Sequence, residues 1–176
     1  MRGSDGVVVS DISSICSSWR PFYLDLFTAC SVDLDTQRDL LGNIVHTLPS
    51  GEVPSCEGLL ASVEVFTALS GMARGKTPGS DGLPAEFYLA FWDTLGSDLV
   101  EVLNATFESG LLSKTQRTAI ISLSFKKGDR LLHKNRRPIS LLNVDYKLCA
   151  RTLAGRLLKV IHHVVSSDQT CGVPGR

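Results

Sequence analysis

Two segments of the chain carry residue types that suit contact with phosphate groups. The first, from Lys76 to Pro84, reads KTPGSDGLP and combines a lysine with hydroxyl, glycine and proline residues. Its glycines can expose backbone N–H groups and allow a ligand to approach closely. The second, residues 120–150, contains many basic side chains around a turn. Both segments are therefore candidates for contact with a polyanion or a nucleotide.

The glycine-rich segment is not a nucleotide-hydrolysing P-loop. The spacing from Gly71 to Lys76 is one residue short of that motif, and a helical pattern precedes it instead of a strand. Pro78 also prevents a helix from starting at Thr77. Two readings stay open: the loop contacts phosphate, or it only connects two helices, with Asp81 bonding the backbone that follows it.

The basic turn is the sharper candidate. Lysines at a turn suit electrostatic contact with a nucleic-acid backbone, and a guanidinium such as Arg137, held by the proline after it, suits bidentate phosphate recognition. Lys147 and Arg151 are four residues apart and share a helical face. The alternative is a solvated hairpin. The full predicted basic neighbourhood is Lys126, Lys127, Lys134, Arg136, Arg137, Lys147 and Arg151.

The formal net charge of zero hides a strong asymmetry along the chain. Residues 1–70 have a net charge of −6 and residues 71–112 of −4, whereas residues 113–176 have thirteen bases, three acids and a net charge of +10. Such asymmetry indicates that the C-terminal third faces a polyanion. The alternative is that it pairs with the acidic part of the same chain.

No catalytic or metal site is predicted. Two-metal nucleotidyl transfer needs carboxylates that hold two cations about 3.5–4 Å apart. The basic third offers only Asp129, Asp145 and Asp168, each in a different predicted element, and the chain contains no Asp-Asp pair. The five cysteines are irregularly spaced without a CxxC motif, and the histidines lack companions with ligand-like spacing.

Composition and periodicity indicate an α+β protein. The chain is 43% apolar and 20% charged, which is ordinary for a globular protein. No apolar run reaches the ~18–20 residues of a membrane span, and the N-terminus lacks a signal-peptide core. We therefore expect an intracellular protein, nuclear or cytoplasmic, without a membrane partner.

The predicted elements place both the glycine-rich segment and the basic turn between helices. Residues 1–18 are expected to be irregular, and Gly96 to break the helix that starts near Pro84. Asn143 is expected to cap the last helix, whose inward face would carry Tyr146, Cys149, Leu153, Leu157, Val160 and Ile161. The expected helices cover residues 33–48, 57–72 (capped by Ser55), 84–95, 98–108 (ending at Gly110) and 144–164, and the strands cover 118–125 and 138–142.

Five motifs in this order and spacing resemble the reverse transcriptases of LINE-type (non-LTR) retrotransposons. They are GKTPGSDGLPAEFY, FWDTLGSDLVEVLNATFESG, AIISL with KKGD, RRPISLLNVDYKLCARTLAGRL and DQTCGVPGR. The resemblance implies an RNA-directed DNA polymerase of right-hand fold. Residues 57–176 would form its fingers and the start of its palm, and residues 1–56 a helical extension.

The resemblance also implies roles for particular residues. Lys126 or Lys127, together with Arg137, would face the triphosphate of the incoming deoxynucleotide. Residues 169–176 would lead towards the first catalytic aspartate, so no catalytic residue lies in this sequence. The residues that would contact the RNA template, the DNA primer or a nearby phosphate are Lys76, Pro78, Gly79, Ser80, Asp81, Gly82, Lys147 and Arg151.

The resemblance is incomplete at two points. The family has an aromatic residue where this chain has Arg136, and a proline before the two lysines where this chain has Phe125. No cofactor is expected for this part, although Mg²⁺ is implied for the full-length polymerase. The alternatives are a non-catalytic nucleic-acid-binding module derived from such an element and a decayed copy without function.

Overall fold

The computed structural model describes residues 1–2, 6–44, 46–166 and 168–169. Within these residues the chain forms two compact units. The N-terminal unit comprises Met1–Asn43 with Ile121–Ser140, and the helical unit comprises Ile44–Ile120 with Leu141–Arg176. The division at residue 56, which rests on the resemblance, stays a prediction. The expected approach to a catalytic strand, residues 169–176, lies outside the described residues except for Gln169.

The N-terminal unit begins with two helices. Helix α1 covers Ile12–Leu26 and helix α2 covers Leu34–Gly42. The expectation of an irregular start was wrong beyond residue 11, because Asp11 caps α1 by accepting a hydrogen bond from the Ser14 N–H at 2.8 Å. The helix then continues through Pro21. Asp33 caps α2 in the same way.

A two-stranded sheet contains the basic turn. Strand β1 covers Ala119–Phe125 and strand β2 covers Arg136–Leu142, with a short 3₁₀ helix at His133–Asn135 before β2. The predicted hairpin is confirmed, and Gly128 in its turn has a φ of +85°. Helix α1 packs on the end of this turn, where Trp19 meets the His133 ring edge-on with centroids 4.4 Å apart.

The helical unit consists of four helices that surround an apolar core. They are α3 (Ser62–Ser70), α4 (Ala85–Ala90), α5 (Trp92–Ser109) and α6 (Val144–Val164), with a 3₁₀ turn at Val53–Ser55. Helix α6 packs against α3 and α5. The fully buried side chains at the centre of the core are Leu60, Val65, Leu69, Leu103 and Leu148.

Several predicted boundaries were wrong for local physical reasons. Helix α3 begins at Ser62 because Glu64 accepts a hydrogen bond from the Ala61 N–H at 3.0 Å, and Ser55 lies in the preceding 3₁₀ turn instead. Gly96 does not break a helix. It is buried inside α5, where a Cβ atom would lie 2.8 Å from the Trp92 ring, and the chain turns at Phe91.

The inward face of α6 differs from the predicted one. Cys149 and Val160 are buried as expected, but Leu157 is 52% exposed. The remaining buried positions of this helix are Val144, Leu148, Thr152 and Arg156. A charged residue thus occupies the apolar stripe that aliphatic side chains were expected to fill.

Arg156 joins three parts of the helical unit. Arg156 is 5% exposed, and its guanidinium forms a bidentate pair with the Glu64 carboxylate, at 3.0 Å from Nε and 2.7 Å from Nη2. The same group donates to the backbone carbonyls of Glu57, Gly58 and Leu59 at 2.7–3.2 Å. The hydrogen bonds from Arg156 lower the pKa of Glu64 to about 2. Charge pairing therefore satisfies a cation that would otherwise be costly to bury.

The mixture of helices with one small sheet is compatible with the expected α+β class. None of the helices among the described residues is long and apolar enough to cross a bilayer.

The Glu64–Arg156 pair gives a testable pH dependence. The pKa of Glu64 is about 2 in the folded state, and its ordinary value is 4.5. Above pH 4.5 the ionised carboxylate therefore contributes about 3 kcal/mol to the free energy of unfolding. We expect Glu64→Gln to lower the free energy of unfolding by about this amount at pH 7. The difference from wild type should shrink as the pH falls from 4.5 towards 2, as measured by urea unfolding.

The matched control is Arg38→Ala, which removes an ion pair with Asp35 in which both side chains are at least 76% exposed. Solvent screening makes such pairs weak, so we expect little change at any pH. A difference between Glu64→Gln and wild type that is independent of pH would contradict the assigned role of the pair.

Candidate functional site

The helical unit contains a basic groove between α6 and the segment that follows α3. Among the residues that the structure describes, its cavity of about 200 Å³ is lined by three cationic side chains and by no carboxylate. The cations come from Lys76 on one wall and from Lys147 and Arg151 on the other. The remaining residues that line the groove are Met72, Ala73, Thr77, Ala85 and Val144. The structure therefore brings together three of the residues that the sequence proposed as nucleic-acid contacts.

The position of Arg151 is fixed by the end of α3. Its Nη2 atom donates to the backbone carbonyl of Gly71 at 2.8 Å. Gly71 is the C-cap of α3, so the contact supplies a donor to a carbonyl at a helix end. The other guanidinium N–H groups have no protein acceptor among the described residues, and they remain available to an anion.

The glycine-rich loop packs against the start of α6. A Cβ atom on Gly79 would lie about 2.1 Å from Asn143 Oδ1, so only glycine fits here. The close approach expected of a ligand at Gly79 is thus made by the protein's own backbone. Asp81 Oδ1 accepts a hydrogen bond from the Leu83 N–H at 3.0 Å, in agreement with its alternative reading as a turn residue.

The remaining loop residues leave a partly open surface. Pro78 is half-buried, whereas Ser80 and Gly82 are exposed, and Gly82 has a φ of +75°. The positive φ explains why glycine stands at position 82. Nucleic-acid contact by Pro78, Gly79, Ser80, Asp81 and Gly82 stays a prediction.

The hairpin in the N-terminal unit presents its own set of cations. Lys126, Lys127 and Arg137 are exposed, as binding residues would have to be. Arg136 differs, because it is partly buried and its Nη2 atom donates to the Arg130 carbonyl at 3.2 Å. Arg136, which stands where the family has an aromatic residue, therefore stabilises the turn through a backbone carbonyl. The contact of Lys126, Lys127 and Arg137 with a nucleotide stays a prediction.

The predicted single basic neighbourhood is distributed over both units. Lys126, Lys127, Lys134, Arg136 and Arg137 belong to the N-terminal unit, where Lys134 lines a separate cavity with Arg2 and His133. Lys147 and Arg151 belong to the helical unit and are joined by Lys76.

Sequence reasoning missed the role of Arg156. The available signal was its spacing, since Arg156 lies four residues after Thr152 and four before Val160 in the buried stripe of α6. An arginine at such a position indicates a buried partner. In the described part of the chain, no group of three or more His, Cys, Asp or Glu residues could hold a metal ion.

Comparison with known proteins relates the chain to a mobile element. No family model matches it. It is 38% identical, over 172 residues and 98% of its length, to the uncharacterized 149 kDa protein of transposon TX1 from Xenopus laevis. The chain is related to a transposon protein. It spans 13% of that relative's length, and the similarity supports an origin in a transposable element.

The packing of the loop predicts opposite effects for two glycine substitutions. Gly79→Ala forces a methyl group into Asn143, and we expect it to lower the free energy of unfolding by roughly 1–3 kcal/mol. Gly155 lies inside α6 with open space around its Cβ position. Gly155→Ala is therefore expected to stabilise the protein by about 0.5–1 kcal/mol.

Urea unfolding of the two variants beside wild type measures both effects. Equal stability of Gly79→Ala and wild type would show that the loop does not pack on Asn143.

Proposed function

We propose that this chain is the fingers region and the start of the palm of a non-LTR retrotransposon reverse transcriptase. In this proposal it contributes template and nucleotide-phosphate contacts to an RNA-directed DNA polymerase, and the catalytic aspartates belong to another part of that enzyme. The five motifs of the sequence and the relationship to a transposon protein both support this origin. RNA template, DNA primer and deoxynucleotide are the proposed partners.

The observation that carries the proposal is the convergence of Lys76, Lys147 and Arg151. These cations come from segments more than 60 residues apart in the sequence, and they line one groove without a carboxylate. Three like charges in a small space repel one another, and an anion that enters the groove relieves this repulsion. A phosphate of a nucleic-acid backbone is the polyanionic ligand that suits such a groove.

The loop of residues 78–82 extends the proposed surface. It follows Lys76 and Thr77 directly, so a strand held in the groove would pass close to it. Its exposed residues Ser80 and Gly82 have small or absent side chains, and the Ser80 hydroxyl already donates to Asn143 Oδ1, so the loop offers mainly backbone groups. We therefore propose that binding depends on the backbone of the strand more than on its sequence.

The same geometry supports a second candidate, a nucleic-acid-binding module without catalysis. In either case we propose that the helical unit binds the single strand, because all residues that line the groove belong to this unit. The two candidates differ in whether a longer open reading frame continues to the catalytic aspartates. The nucleotide sequence after the Arg176 codon decides between them.

The groove is tested by substituting its cations one at a time. We expect Lys76→Ala, Lys147→Ala and Arg151→Ala each to weaken binding of a labelled single-stranded RNA. A residue that neutralises one phosphate contributes about 0.7 to the slope of log K against log salt concentration for a single strand. Each substitution should therefore reduce the slope by about that amount in a fluorescence-anisotropy titration over several salt concentrations.

The matched control is Lys114→Ala, which removes an exposed lysine of the same unit that does not line the groove. It should leave the slope unchanged. If all three groove variants behave like Lys114→Ala, the groove is not the binding site.

The hairpin cations are tested separately with a primer–template duplex. We expect Arg137→Ala and the double substitution Lys126→Ala with Lys127→Ala to weaken binding, because both remove exposed charge beside the turn. Arg38→Ala, an exposed substitution on α2 of the same unit, is the control. Unchanged binding in all of the hairpin variants would remove these residues from the proposed interface.

A further inference from the structure

Asn143 lies at the junction of three chain segments in the helical unit. It is the N-cap residue of α6, with φ −64° and ψ 151°, and it is 1% exposed. An asparagine at an N-cap ordinarily accepts a hydrogen bond from the second or third N–H of its helix. The side chain of Asn143 makes no such bond. Its polar atoms are directed to other parts of the chain.

The amide of Asn143 bonds both to the glycine-rich loop and to the segment before β1. Its Oδ1 atom accepts from the Asp81 N–H and from the Ser80 hydroxyl, each at 3.4 Å. Its Nδ2 atom donates to the backbone carbonyl of Thr115 at 3.3 Å. Gly79 packs against the same side chain. The side chain therefore holds residues 79–81 in place at the start of α6.

This contact closes one end of the basic groove. Lys76 and Thr77, on one wall, directly precede the loop, and Val144, on the other wall, directly follows Asn143. At the other end, the hydrogen bond from Arg151 to the Gly71 carbonyl joins α6 to α3. The two walls are thus connected at both ends, once through neutral groups at Asn143 and once through the charged guanidinium of Arg151.

We infer that Asn143 is a positioning residue for the basic groove, fixing the wall that carries Lys76 against the wall that carries Lys147 and Arg151. This inference rests on the proposed function of the groove. Repulsion among the three cations favours separation of the walls, so a neutral connection is needed to keep them at a fixed spacing. A groove that is already ordered loses less conformational freedom when it binds a strand.

The test separates positioning from both folding and direct contact. Asn143→Ser keeps a side chain that suits an N-cap but is too short to reach Asp81 and Thr115 together. We expect its affinity for a labelled oligouridine of about 20 nucleotides to fall roughly three- to tenfold, with the salt slope unchanged. Lys147→Ala, by contrast, lowers the slope. Circular dichroism melting shows whether the variant is fully folded at the assay temperature.

Amide hydrogen exchange gives a readout that does not depend on RNA. We expect the Asp81 N–H to exchange faster in Asn143→Ser than in wild type, because its acceptor is lost. Gly79→Ala alters the same contact from the loop, because its methyl group would collide with Asn143. It should also weaken RNA binding and speed exchange of the Asp81 N–H, so the inference does not depend on one variant folding.

Three results would overturn the inference. The first is an unchanged exchange rate of the Asp81 N–H in the folded Asn143→Ser variant. The second is faster exchange in that variant together with an RNA affinity equal to that of wild type. The third is a salt slope that Asn143→Ser lowers as much as Lys147→Ala does. Failure of the proposed function is seen separately, since wild type itself would then lack salt-dependent RNA binding while the exchange result still reports whether Asn143 holds the loop.

Discussion

The helical unit depends on the buried guanidinium of Arg156. This group satisfies the carbonyls of residues 57–59 and the carboxylate of Glu64, so it links the segment before α3, the first turn of α3 and the middle of α6. An apolar side chain at this position could fill the space but could not satisfy the three carbonyls. The pair therefore helps to fix α6 against α3, and the basic groove lies between α6 and the segment that follows α3.

Helix α6 has two chemical faces. Its inner face buries Leu148, Cys149 and Val160 in the core, whereas its outer face presents Lys147 and Arg151 to the groove. The excess of positive charge after residue 112 is divided accordingly. Arg156 is neutralised by Glu64, an acid of the N-terminal part of the chain, as the alternative reading of the charge asymmetry expected. The alternative is thus confirmed for Arg156, whereas contact of the other cations with a polyanion stays a prediction.

The loop of residues 78–82 illustrates how residues proposed for binding can be explained by packing alone. Gly79 is required by the protein's own backbone, and Asp81 bonds within its own turn. Neither residue needs a ligand to explain its identity. The groove beside them is different, because three cations line it and no carboxylate among the described residues does so. The proposed binding therefore depends on Lys76, Lys147 and Arg151 and only secondarily on the loop.

Local sequence determined the elements whose signals are local. The hairpin, its Gly128 turn, the C-terminal glycine at Gly110 and the start of α6 at Asn143 were all predictable, since each depends on the backbone preferences of a few neighbouring residues. The α+β class follows from the same patterns. The starts of α1 and α3 were missed because Asp11 and Glu64 act as caps through particular hydrogen bonds, which composition does not reveal.

Tertiary structure alone decided which residues meet. Lys76 joins Lys147 and Arg151 because α3 and α6 pack together, and their separation in sequence gives no sign of this. Arg156 points inward because Glu64 and three backbone carbonyls accept its hydrogen bonds. The Asn143 side chain does not cap its own helix because it bonds to Asp81 and Thr115 instead. In each case a polar group has several possible partners in the sequence, and only the packing of distant segments selects one of them.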